Sequence, residues 1–224
     1  MMHGVWINNK NTLDEYGLVL LADLTIGTPE PKTKYIEVPE ADGDMDFTEA
    51  LTGNVRYGMR EISFGLFPAR DIIAGTNGTA TEEHAAMIRQ QLAEEIHGQR
   101  VKLWLPDDPR HYFIGRMAIG EKGGYNDPTI PVKMTAEPWR YKSLETEVRI
   151  TENGRYNLAN ETRRVFPIFT SATGGAVVTF GTVQHTMASG ANQWSDIMLQ
   201  PGSNLINVTG VTQPIIVKYQ EAVL

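Results

Sequence analysis

Arg56-Tyr57-Gly58-Met59-Arg60-Glu61-Ile62-Ser63-Phe64-Gly65-Leu66-Phe67 is the stretch on which the fold turns. Tyr57, Met59, Glu61 and Ser63 share one parity, and Ile62, Phe64 and Leu66 share the other. Successive side chains on a strand leave opposite faces of the pleat, so a period of two marks a strand with one buried face. This stretch predicts a strand that turns Ile62, Phe64 and Leu66 into a core.

Outward from it, the flanks also read as β. Upstream, Gly4 to Ile7, Tyr16 to Leu21 and Thr33 to Val38 are short strand candidates. Pro29, Pro31 and Pro39 bound the last, because proline cannot donate to a ladder. Downstream, Val101 to Leu105 and Tyr112 to Ile119 flank the turn Pro106-Asp107-Asp108-Pro109. Ile130 to Ala136 follows the loop Gly120 to Pro128.

One helix interrupts this pattern. Ala85, Ile88, Leu92 and Ile96 recur at spacings of three and four, a single apolar stripe. Thr79 or Thr81 suits the N-cap, with Glu82 and Glu83 at the positive end of the dipole. Gly98 suits a left-handed cap and His97 the negative end. The spacing predicts a helix over 81–97 packed on a sheet.

The character changes near residue 143. Glu145 to Thr151, Arg164 to Thr170, Ala176 to Phe180, Ser195 to Gln200, Leu205 to Val208 and Pro214 to Gln220 read as six short strands separated by Gly-, Ser- and Asn-rich turns. That density predicts a β-sandwich. The expected division is a domain over 1–142 and a smaller one over 143–224.

Composition narrows the function classes. The 224 residues carry 27 acidic and 20 basic side chains, a net charge of −7, which argues against unaided, sequence-specific nucleic-acid binding. No cysteine is present, which excludes disulfides, thiolate catalysis and thiolate metal sites. No run approaches the roughly 20 apolar residues of a membrane helix, so no membrane partner is expected. Met1 to Trp6 shows neither a basic nor a long apolar segment, so no signal peptide is expected.

Site motifs weigh against an enzyme. Asp42, Asp44 and Asp46 are spaced like the start of a calcium loop, but Phe47 and Gly53 occupy the places of its glycine and its bidentate glutamate. They read instead as an acidic turn. His3, His84, His97, His111 and His185 show no metal spacing, and no metal site or other cofactor is expected. Asp107 and Asp108 near His111 suggest acid–base work only weakly against a proline-flanked turn. No nucleophile elbow or phosphate loop appears, and no catalytic residue is assigned. Trp104, Tyr112, Phe113, Trp139 and Tyr141 suit a core or a subunit interface better than a sugar platform. Trp194, Phe166 and Tyr156 are the corresponding set in the second half.

Read in order, three features resemble the distal tail (baseplate hub ring) family of siphophages. The first is Val38-Pro39-Glu40-Ala41-Asp42-Gly43-Asp44-Met45-Asp46-Phe47-Thr48, then Leu51-Thr52-Gly53, then the strand with Arg60, Ile62 and Phe64. The second is His97-Gly98, a strand, an acidic turn, and Tyr112-Phe113-Ile114-Gly115-Arg116. The third is Pro138-Trp139 with Tyr141. The resemblance covers roughly residues 1–142. Glu40 departs from it, standing where the family commonly has glycine.

The resemblance implies a mainly β fold. Its N-terminal domain is β-sandwich-like with one helix and an extended hairpin, and its C-terminal domain is a small galectin-like β-sandwich. It implies a virion tail-tip protein assembled in the host cytoplasm. Six copies would close into a ring joining the tail tube protein to the tail-tip hub or tail-associated protein, near the tape measure protein. Unpaired strand edges completed by a neighbour would suit such closure. Asp42, Asp44, Asp46, Arg56, Arg60 and Arg116 are the expected subunit-interface residues, pairing across copies for register. Two other classes compete. One is a carbohydrate-binding module for host adsorption in residues 143–224. The other is a cell-wall hydrolase, which needs paired carboxylates that nothing in the sequence marks out.

Overall fold

The computed structural model describes residues 3–40, 42–50, 53–69, 78–121, 123–124 and 127–224, with backbone alone over 78–84. Met1, Met2, Ala41, Leu51, Thr52 and part of the expected 120–128 loop lie outside the described residues, as do the side chains of Thr79, Thr81, Glu82, Glu83 and His84. Contacts divide the chain into two compact units, Met1–Pro138 and Trp139–Leu224.

The first unit opens with β1 (Trp6–Ile7), β2 (Lys10–Asn11), helix α1 (Thr12–Tyr16), β3 (Leu18–Leu20) and β4 (Thr25–Ile26). The hairpin strands β5 (Tyr35–Glu37) and β6 (Asp44–Asp46) come next, then β7 (Arg60–Pro68). Helix α2 (Gly78–Ile96), β8 (Arg100–Leu105), β9 (Asp108–Ile119) and β10 (Ile130–Lys142) complete it, the last four residues of β10 belonging to the second unit. The main sheet runs β2-β1-β8-β9-β10-β7-β3, and β4 also lies on β7. The strand read from alternation is present as β7, with Ile62, Phe64 and Leu66 at most 2% exposed. It starts at Arg60 rather than Arg56; upstream, Tyr57 makes only an isolated bridge to Pro31.

Helix α2 covers the inner face of this sheet. Ile88, Leu92 and Ile96 pack into one core with Phe64, Leu103, Phe113, Met117, Val132 and Met134. Each such buried aliphatic side chain contributes about 1.5–3 kcal/mol relative to exposure. The helix begins before the expected start, so Thr79 and Thr81 lie within it rather than at its cap, and its first turn holds no acid. Gly98 takes φ 73°, the left-handed conformation that lets the chain leave α2 for β8.

Helix α1 is a second helix, where the sequence suggested the start of a strand at Tyr16. Asn11 caps it by accepting the Leu13 N–H at 2.9 Å, and Gly17 at φ 66° ends it. Between β3 and β4, Asp23 reaches β7: its Oδ1 accepts the Gly65 N–H at 2.9 Å. Gly115 of β9 lies where a Cβ would stand 2.3 Å from the Thr135 carbonyl oxygen of β10.

The second unit holds β11 (Thr146–Ile150), β12 (Gly154–Asn160), β13 (Ile168–Ser171), β14 (Val177–Phe180) and β15 (Val183–Thr186). After them come β16 (Gly190–Asn192), β17 (Gly202–Thr209), β18 (Ile215–Tyr219) and β19 (Ala222–Val223). Two antiparallel four-stranded sheets, β11-β18-β13-β16 and β12-β17-β14-β15, share one core that includes Ile150, Leu158, Phe169, Val178, Ile206 and Val217. This is a β-sandwich, as the strand density predicts. It also has β12, β15 and β16, which the sequence reading missed. Ser195 to Gln200 is not a strand: Ile197 and Leu199 are fully buried, but the backbone makes only the bridge Val165–Leu199.

Within the second unit, Val223 and Ala222 of β19 pair with Arg140 and Tyr141. The Glu221 carboxylate is buried, accepts the Glu161 N–H at 3.1 Å, and is bonded to Thr146 Oγ1. Lys142 Nζ bridges Glu161 at 2.6 Å and Glu221 at 3.2 Å. Burial opposes the charged amine, and the two carboxylates outweigh it, so the Lys142 pKa is raised. A buried carboxylate must be paired and hydrogen-bonded to be tolerated, and these contacts supply that.

Candidate interaction surfaces

The acidic stretch read as a turn is half of a hairpin. β5 and β6 pair antiparallel as Tyr35–Asp46, Ile36–Met45 and Glu37–Asp44. All six of these residues are exposed. Alternation puts Ile36 and Met45 on one face and Tyr35, Glu37, Asp44 and Asp46 on the other. Asp46 is tied locally: its Oδ1 accepts the Thr48 N–H at 2.8 Å, and its bonds to Thr48 hold its carboxyl below the usual value. Asp42 is exposed in the connecting turn. Glu40, where the resemblance leads one to expect glycine, takes φ 66°, so this backbone adopts the left-handed conformation without a glycine to ease it.

The three arginines expected beside this hairpin have three different fates. Arg56 is exposed, and its carbonyl accepts the Lys32 N–H at 2.7 Å. Arg60 is 6% exposed; its Nη2 donates to the Pro138 carbonyl, and its guanidinium lies 5.4 Å from the Phe113 ring centre. Reversing it to Glu would bury a carboxylate against a carbonyl oxygen, so that variant tests folding and not ring closure. Arg116 is exposed, and its Nη1 donates to the Gly98 carbonyl at 2.6 Å.

Arg116 stands directly opposite Arg100 across β8 and β9. Arg100, which sequence reading did not single out, is bonded to Glu137 and keeps 62% of its side chain exposed. Met59, His97, Arg100, Arg116, Thr135 and Glu137 line an open groove of about 560 Å³. The β8–β9 hairpin is legible in the sequence but its register is not, so the sequence alone did not place the two arginines side by side.

Among the described residues, two histidine–carboxylate contacts occur elsewhere. His111 Nδ1 lies 2.9 Å from an Asp108 oxygen, both half-buried at the start of β9. In the second unit His185 Nε2 lies 2.9 Å from both Asp196 oxygens, and this bond lowers the Asp196 pKa. The His185 ring also stacks on Trp194 at 4.8 Å, and Phe169 lies 5.5 Å from the same indole. Those two neighbours occupy Trp194, leaving it a poor platform for a sugar. Tyr156 donates to the Glu152 carbonyl at 2.8 Å and is partly buried, whereas Phe166 is 43% exposed. In the first unit Tyr112 and Phe113 are buried, as is Tyr141 in the second, consistent with core positions.

No family model matches the chain, and no curated protein matches it by sequence. Its fold does match a solved structure from end to end. SPP1 Dit (gp 19.1), described as a paradigm of the hub adsorption apparatus in phages infecting Gram-positive hosts, superposes over 99% of both chains with a TM-score of 0.64 at 13% identity. The mainly β fold expected from the sequence is thus one that this chain shares with that protein.

Proposed function

We propose that this chain is a structural subunit of the tail tip of a long-tailed bacteriophage or prophage. In this reading it has no catalytic role. Six copies close into a ring that joins the tail tube to the baseplate hub. The single observation carrying the proposal is end-to-end agreement with a hub adsorption protein, both units included. A match limited to the second unit would have supported only a sandwich, an architecture with many unrelated functions.

The ring makes heterologous contacts, in which one patch meets a different patch on the next copy and rotation closes the set. Its contact residues are drawn from Asp42, Asp44, Arg56 and Arg116, which are exposed. Its partners are copies of itself, the tail tube protein, the hub or tail-associated protein and the tape measure protein. It works at the virion tail tip after assembly in the host cytoplasm.

Light scattering and negative-stain imaging of the purified chain test the reading. The expected result is a ring with a central hole and a mass of six times 24.9 kDa, about 149 kDa. A strict monomer at high concentration, also when mixed with the tube and hub proteins, would count against it.

A further inference from the structure

We infer that the acidic face of the β5–β6 hairpin of one copy docks on the paired arginines of β8 and β9 in a second copy. The inference rests on the ring reading and names the surfaces that would close it. It starts from two oddities of register. Glu37 stands directly opposite Asp44 in the hairpin, and Arg100 directly opposite Arg116 in the sheet. Like charges in directly opposed cross-strand positions destabilise each pair of strands. All four side chains are exposed. Each pair disfavours its own strands, and each is the other's complement.

The geometry fits two against two. Directly opposed residues in an antiparallel pair have Cβ atoms about 4.5–5.5 Å apart, so the two acidic and the two basic side chains leave their strands with similar spacing. Each guanidinium carries five donors. One Nη of Arg100 engages Glu137, and one of Arg116 engages the Gly98 carbonyl at 2.6 Å, which fixes both forks in place. Carboxylate–guanidinium pairs that lose solvent on docking are the strong class of ion pair and set register. Tyr35, on the acidic face, is 57% exposed, and Met59, at the groove, is 55% exposed. They supply the apolar contact that such an interface needs at its centre. A hairpin of two three-residue strands, all six residues exposed, is marginal in water alone, and docking would hold it.

Charge exchange tests this. The reversed variants Glu37→Lys/Asp44→Lys and Arg100→Glu/Arg116→Glu should each lose the ring peak in light scattering, while circular dichroism stays that of the wild type. The fourfold variant carrying both reversals should regain the ring, because every interface is then complementary again. A second measurement does not depend on those variants folding. The chain has no cysteine, so Asp44→Cys and Arg116→Cys in one chain should give a ladder of oxidised oligomers, and either alone should give none. A wild-type ring with no ladder, or rings in both reversed variants, would overturn the docking inference and leave the ring reading standing. A wild-type chain that never assembles would overturn both.

Discussion

Asp23 Oδ1 accepts the backbone N–H of Gly65 at 2.9 Å. The adjoining Leu21 N–H donates to the Gly65 carbonyl at 2.9 Å, so a loop and a side chain satisfy a residue that has β10 on one side and no strand on the other. β3 and β4 both lie along β7, and this contact bridges the gap between them. Gly65 is buried. Asp23→Ala would leave its N–H without an acceptor, which costs about 1–3 kcal/mol. Asp23→Asn keeps an oxygen in place and should cost less. Urea denaturation of the three proteins checks the order.

Gly115→Ala should be far more damaging than its size suggests. The added Cβ would meet the Thr135 oxygen at 2.3 Å and the Ala136 Cα at 2.5 Å, and both are backbone atoms that cannot swing aside. Overpacking typically costs about 1–3 kcal/mol, and a backbone clash lies at or beyond the top of that range. The expected outcome is a large drop in the melting temperature or loss of soluble protein. A melting temperature like the wild type's would show that β9 and β10 part easily.

Glu40→Gly should stabilise. The residue holds φ 66°, where an L side chain crowds the following carbonyl at a cost of about 1–2 kcal/mol. Glycine removes that strain but loosens the unfolded chain, so a net gain of about 0.5–1 kcal/mol is expected. Thermal denaturation should show a modest rise in melting temperature.

The Asp196 carboxyl is held below its ordinary value of 3.8 by its hydrogen bond to His185. A depressed carboxylate adds stability that is present above the unfolded value and lost as pH falls through the folded one. Asp196→Asn should therefore differ from the wild type at about pH 5, and the difference should shrink as pH falls well below the unfolded value. A difference that stays constant across that range would mean the contact is held by shape and not by charge.

What was legible in the sequence follows from length and polarity. Ile62, Phe64 and Leu66 announced β7 and the stripe from Ala85 to Ile96 announced α2, because each repeats its period several times. Helix α1 has five residues, too few to show a period, and only Asn11 and Gly17 mark its ends. β12 escaped because Leu158 is the one large aliphatic side chain it buries among Arg155, Asn157 and Asn160. Ile197 and Leu199 misled in the opposite sense, since an irregular segment can fill a core as well as a strand can. Arg60 is expected at a subunit interface because arginines seldom sink into a core; the Pro138 carbonyl and the Phe113 ring explain why this one does. The facing of Glu37 with Asp44 and of Arg100 with Arg116 needed the register, which composition does not encode.

The main sheet ends at β2, two residues long, on one side, and on the other at β3 and β4, of three and two residues with Asp23 between them. Amyloid growth needs a straight rail of free amides and carbonyls to template the next molecule, and neither margin offers one. The main sheet therefore gives a fibril no template at either margin.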